Sequence, residues 1–101
     1  MNITSMREFV TLSKNLNYTQ TAEELFITQS TLSRHISEME IELDIKLFNR
    51  STHGVELTKE GVFIFEEFNK IISQYDDMLS TISLRKEGNR ESSYWHIVLY
   101  D

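Results

Sequence analysis

Apolar residues recur along this chain at helical spacing, and the pattern is interrupted once by two short extended stretches. Met6, Phe9, Val10, Ser13 and Leu16 mark one face of a first helix over residues 3–16. Asn17, with Gln20 three residues later, reads as an asparagine variant of the capping box, so a second helix starts at 18 and runs to 25 with Ala22 and Leu25 inward. Phe26 and Ile27 make the turn, and their apolar side chains are expected to plug the core. Thr28 supplies a side-chain oxygen for the start of a third helix over 29–43. Its buried stripe is Leu32, Ile36, Met39 and Leu43. Two short helices joined by a three-residue turn form the helix-turn-helix pattern. Asp44 ends the third helix, since Asp tolerates the left-handed conformation better than most residues.

Lys46 to Arg50 and Gly54 to Leu57 read as short strands around a turn at Ser51 to Gly54, a hairpin that makes a wing. Thr58 caps a long helix. Along it Phe65, Phe68, Ile72, Tyr75, Leu79 and Ile82 are spaced 3, 4, 3, 4 and 3 residues apart, a seam of period 3.5. Ile64, Ile71 and Met78 widen it. Phe65 and Phe68 are expected to pack partly on the preceding domain. That domain is too small to cover the rest, so a second copy of the chain is the expected cover for the distal half, with Phe65, Phe68, Ile72, Tyr75, Leu79 and Ile82 as the expected dimerisation residues. Arg85 to Ser93 is polar and contains glycine, which predicts a hinge. Tyr94 to Tyr100 is a short β-prone apolar segment that cannot fold by itself. It reads as a truncation remnant, a fusion scar or a terminus packed on the dimer.

The third helix carries the candidate chemistry. Ser30, Arg34 and Ser37 fall opposite its buried stripe. Small polar side chains around one arginine, at a helix N-terminus, suit a DNA major groove, because the backbone approaches closely and the guanidinium forks onto a guanine edge or a phosphate. Gln29 and Arg34 suit base contacts, since each side chain makes two bonds to a base edge. Ser30, Thr31 and Ser33 suit phosphate contact or close approach. Arg50 has two readings, a phosphate contact or an ion pair with Glu40 or Glu42. His53 at the hairpin turn is either merely exposed or near DNA.

Charge complicates this reading. The 101 residues hold 10 basic and 16 acidic side chains, a net of −6. Residues 1–60 hold six basic and nine acidic groups, 6 − 9 = −3. A DNA-binding domain usually shows a basic footprint, so positive charge here has to be local and salt dependence shallow. Glu66, Glu67, Asp76 and Asp77 read as a solvated face. His35 and His96 have no ligand set near them in sequence. The chain has no cysteine, which excludes disulfides and thiolate sites. No signal-peptide core or membrane-length apolar run occurs, so a cytoplasmic location is expected. No catalytic triad, phosphate-binding glycine loop or paired catalytic carboxylates stand out; no enzyme, cofactor or metal site is expected.

Leu16-Asn17-Tyr18-Thr19, Ala22-Glu23-Glu24-Leu25, Thr28-Gln29-Ser30 and Leu32-Ser33-Arg34-His35-Ile36 together resemble the DNA-binding domain of LysR-type transcriptional regulators. The likeness continues through Glu40, Leu43, Leu47-Phe48-Asn49-Arg50 and Val55 to Gly61, covering residues 3–82 in unbroken order. The resemblance implies a mainly α fold: three helices and a two-stranded wing, then a linker helix that dimerises antiparallel. It implies binding to an interrupted palindrome, with Gln29, Ser30, Thr31, Ser33 and Arg34 facing DNA, Arg50 at the backbone and His53 at a wing-tip position near the minor groove. Several positions depart from the family pattern: Ser37 and Glu38 stand where basic residues are common, Thr21 replaces an alanine, and Asp44 replaces a glycine. Family members continue into an effector-binding domain of roughly two hundred residues, more than a typical domain; none is expected within this chain.

The expected organisation is a winged helix-turn-helix over 1–58, a dimerisation helix over 59–86, and a hinge with a short tail over 87–101. The expected function is a homodimeric, sequence-specific DNA-binding regulator whose partner is double-stranded DNA. A second reading is a short dimerisation partner that retunes longer relatives by forming mixed dimers.

Overall fold

A computed structural model describes residues 1–88. Its order is α1 (Ile3–Asn15), α2 (Tyr18–Leu25), α3 (Gln29–Leu43), β1 (Phe48–Ser51), β2 (Gly54–Leu57) and α4 (Lys59–Gly88). The element sequence is the mainly α winged helix-turn-helix with a long following helix.

Helix starts are set by short polar side chains. Asn2 and Ser5 form a reciprocal capping box on α1. At α2 the Gln20 amide donates to Asn17 Oδ1 at 2.8 Å, but the Gln20 side chain reaches Glu24 instead of turning back, so only half of the expected box forms. The Thr31 amide donates to Thr28 Oγ1 at 3.1 Å. Helix ends are equally local: Leu16, Phe26 and Asp44 all adopt the left-handed conformation, with φ of 52°, 57° and 55°. Each costs roughly 1–2 kcal/mol relative to a glycine there.

These caps account for two corrections. Leu16 does not complete the buried stripe of α1, because as a left-handed cap it turns outward and is exposed; Leu12, fully buried, takes that place. Phe26 does not plug the core. At the left-handed end of α2 its side chain projects away from the domain and is 95% exposed, while Ile27 packs against the core.

The core joins every element. Phe9 of α1 meets Phe48 of β1 at 5.4 Å and Phe68 of α4 at 5.5 Å between ring centroids, the latter edge to face. Val10 and Leu12 of α1, Tyr18 and Ala22 of α2, Leu32, Ile36 and Met39 of α3, and Leu47 complete it. Thr21 is fully buried, and its hydroxyl accepts from Asn15 Nδ2 at 3.0 Å, so the extra polar atom between α1 and α2 has a partner.

The wing is a single antiparallel pair in which Phe48 faces Leu57 and Arg50 faces Val55. Strand β1 begins at Phe48, two residues after the expected start at Lys46. The Leu47 and Phe48 amides are instead held by the Glu40 carboxylate at 2.7 and 3.3 Å. Helix α4 is anchored where it begins. The Thr58 amide donates to the Leu47 carbonyl, and the Gly61 amide donates to Thr58 Oγ1. Gly61 is buried, and a Cβ there would run into the Leu47 carbonyl oxygen. The helix continues to Gly88, into the stretch expected to be a hinge. Tyr94 to Asp101 and His96 lie outside the described residues.

Candidate nucleic-acid interface

The exposed side of α3 is polar and begins at a capped helix terminus. Gln29, Ser30, Arg34, Ser37 and Glu38 are exposed, Ser33 is half-buried, and Leu32, Ile36 and Met39 hold the opposite face in the core. Thr31 is half-buried, and its hydroxyl and amide are both engaged by Thr28. It is therefore more a part of the cap than of the open face. Thr19, at the start of α2, stands 3.5 Å from Gln29, so the beginnings of α2 and α3 form one polar edge.

Arg50 joins this edge from the wing. Alternation along β1 puts it on the same side as the buried Phe48, and that side faces the helices. Its guanidinium carbon lies 4.2 Å from the centre of the Tyr18 ring, and Nη2 donates to Ser33 Oγ at 3.4 Å. The expected alternative, an ion pair with Glu40 or Glu42, does not form. Glu40 is committed to the Leu47 and Phe48 amides, and Glu42 accepts from the N-terminal ammonium at 2.9 Å. Tyr18, Ser33, Ser37, Glu40, Lys46, Phe48, Asn49 and Arg50 line a polar recess between α3 and the wing. His53 is exposed at the wing turn, and its amide donates to Ser51 Oγ.

These contacts bear on the charge problem seen in the sequence, as far as α3 is concerned. Helix α3 holds Arg34 against Glu38, Glu40 and Glu42, 1 − 3 = −2 with histidine neutral. Yet each carboxylate has a partner: Glu38 pairs with Arg34 at 3.2 Å, Glu40 with two amides, and Glu42 with the terminal ammonium. Glu40 and Glu42 are thereby engaged away from the exposed ridge, while Glu38 stays on it, paired with Arg34.

Two further polar contacts escape the sequence reading. Glu8 of α1 is 5% exposed, and its Oε1 lies 2.8 Å from His35 Nδ1 of α3. The pair ties α3 to α1 one residue beyond Arg34. A carboxylate four residues before the buried Leu12 is the available signal, since such a position calls for a partner. Asp76 is not simply solvated. Its two oxygens take a fork from Arg7, at 2.6 and 3.2 Å, which joins α1 to the middle of α4.

Along α4 the seam divides. Phe68 is buried, and Ile64, Phe65 and Ile72 pack against the core. Beyond them Tyr75, Met78 and Leu79 are exposed, Ile82 is half-buried, and Leu84 is 69% exposed. Among the described residues, no helix is long and apolar enough to cross a membrane.

Residues 3–62 match the family model for the bacterial regulatory helix-turn-helix protein, lysR family. An uncharacterized HTH-type transcriptional regulator of Escherichia coli, YbhD, is 38% identical over 80 residues, which is 79% of this chain and 25% of the relative. The HTH-type transcriptional regulator BenM of Acinetobacter baylyi is 36% identical over 80 residues, 79% of this chain and 26% of the relative. This chain therefore spans about a quarter of the length of these two relatives. Among solved structures, the crystal structure of the BenM_DBD/catB site 1 DNA complex superposes with a TM-score of 0.84 at 34% identity, covering 88% of this chain and 100% of that one.

Proposed function

The chain belongs to the lysR family of bacterial regulatory helix-turn-helix proteins, and on that premise we propose that it binds double-stranded DNA as a homodimer and regulates transcription from an interrupted palindrome. The observation that carries the reading is the polar ridge of α3 standing beside Arg50, with each carboxylate of α3 held by a partner. The likeness to a BenM domain crystallised with catB site 1 DNA supports a DNA-binding role for this chain as well.

In this reading α3 enters the major groove from its capped end, and Gln29 and Arg34 address base edges. Ser30 and Ser33 approach the backbone, and Thr31 holds the cap that aims them. Arg50 exchanges its Ser33 contact for a phosphate while Tyr18 keeps its guanidinium in place. His53 flanks the duplex from the wing. Residues 1–58 form the DNA-binding head. The exposed distal part of the seam, Tyr75, Leu79 and Ile82, pairs with a second copy, while Phe65, Phe68 and Ile72 fix the helix to its own head. Phosphate contacts set register and base contacts set sequence. The chemistry is binding without catalysis or a cofactor, in the cytoplasm where the DNA lies.

The test is binding to genomic fragments, followed by footprinting of the selected site. Arg34→Ala should weaken operator binding at least about tenfold, in line with the loss of one good bidentate base contact, with dimer mass unchanged. A homodimer that protects no genomic sequence at moderate salt, yet binds a longer relative, would overturn the reading in favour of mixed-dimer control.

A further inference from the structure

We infer that Glu38 is a specificity residue, and that Arg34 and Glu38 together read a guanine and a cytosine amino group on the same or adjacent base pairs. This rests on the DNA-binding reading above.

The two side chains stand one helical turn apart, with Arg34 Nη1 3.2 Å from Glu38 Oε1. Their side chains are 62% and 60% exposed, so the pair faces solvent as a unit. Glu40 and Glu42 are drawn away to the wing amides and the N-terminus. Glu38 is therefore the acidic group left beside the arginine on the open face. An exposed pair of this kind adds little to the stability of a helix, so stability gives little account of it.

Its hydrogen-bonding pattern does match a groove edge. A guanidinium has five N–H donors, and Glu38 uses one. The rest suffice for guanine O6 and N7. A carboxylate offers about four acceptor positions, which leaves it free to accept from cytosine N4. Across the major groove a G·C pair presents two acceptors and then that amino donor. An A·T pair presents acceptor, donor and acceptor, so the same arrangement meets it with a carboxylate against thymine O4. Glu38 then discriminates by penalising the wrong sequence as well as by bonding the right one. A carboxylate at this position also disfavours loose contact with phosphate, so nonspecific binding falls relative to specific binding.

The experiment selects bound duplexes from a random library with the full chain as wild type, Arg34→Ala, Glu38→Ala and Glu38→Gln. The wild-type motif should contain a guanine position that flattens in Arg34→Ala. It should also contain a cytosine position that Arg34→Ala leaves or weakens and Glu38→Ala flattens, from about fivefold preference to near none. Glu38→Gln retains a carbonyl acceptor and should keep part of that preference. If Glu38→Ala and Glu38→Gln both tighten binding to all sequences and leave the motif unchanged, Glu38 only repels phosphate and the inference fails. A wild-type chain that selects no motif sinks the DNA-binding reading itself, a different result from an unchanged motif in the variants.

Discussion

The two halves of α4 carry one apolar period and meet different fates. The proximal half lies inside the head: Gly61 is buried against the Leu47 carbonyl, and Phe68, 4% exposed, packs edge to face on Phe9. The distal half repeats the spacing with Tyr75, Leu79 and Ile82, and there Leu79 is 43% exposed. A period of 3.5 residues identifies which side chains share a face. It does not identify what covers them. In the first half the cover is α1 and the wing. The second half extends past α1, and the proposed homodimer would supply its cover from a second copy of the chain.

Paired substitutions on the one seam break this comparison most sharply. Phe68→Ala should destabilise the head by about 4 kcal/mol, the usual cost of a large aromatic removed from a core, read as a lowered urea midpoint. Leu79→Asp should leave the midpoint of the dilute chain within about 0.5 kcal/mol, as an exposed substitution does, but halve the sedimenting mass at high concentration. Equal losses of stability would show that the distal half is also held by its own head. An unchanged mass would remove the argument for pairing through the seam.

Gly61→Ala probes the junction that makes the proximal half different. The added methyl meets a backbone carbonyl that cannot easily yield, because the Leu47 amide is held by Glu40 and its carbonyl by the Thr58 amide. The expected cost is about 2–3 kcal/mol, typical of overpacking, measured by thermal melting. Because α4 must tilt to relieve the clash, dimer affinity should fall as well. A melt within a degree of wild type would show that the close approach is not required.

The same contrast explains how much is legible from sequence. Local features are readable: Asn17 and Thr28 cap helices, Asp44 stops one, and the seam runs at 3.5. Each depends on groups a few residues apart. What escapes depends on distance along the chain or on backbone sign. Hydrophobicity alone puts Phe26 inside, but its left-handed backbone decides where it points. Acidic neighbours make Asp76 look solvated, while its partner, Arg7, is 69 residues away. Glu8 and His35 are 27 apart. The polar face of α3 follows from helical spacing. Its electrostatics do not, because Glu40 and Glu42 are matched by the Leu47 and Phe48 amides and by the terminal ammonium, none of which a count of charged side chains includes.

Asp76 marks where the proximal half gives way to the distal one, and it yields the smallest effect. The Arg7 guanidinium, by its hydrogen bond and then its charge, holds the Asp76 carboxyl below its usual 3.8, and Asp76 in turn raises Arg7 above its ordinary value. A depressed carboxyl pKa in the folded state stabilises the fold at neutral pH, and that contribution is lost as pH falls through the folded value. Both groups are solvent-exposed, so the contribution is screened and small. Asp76→Asn should therefore melt slightly below wild type from pH 5 to 8, and the gap should close as the pH falls through the lowered folded-state pKa of Asp76 and wild-type Asp76 is itself protonated. A gap that persists at acid pH would mean that the carboxamide disturbs packing and not charge. In that case the α1–α4 boundary would rest on the Phe9–Phe68 contact, with no electrostatic share.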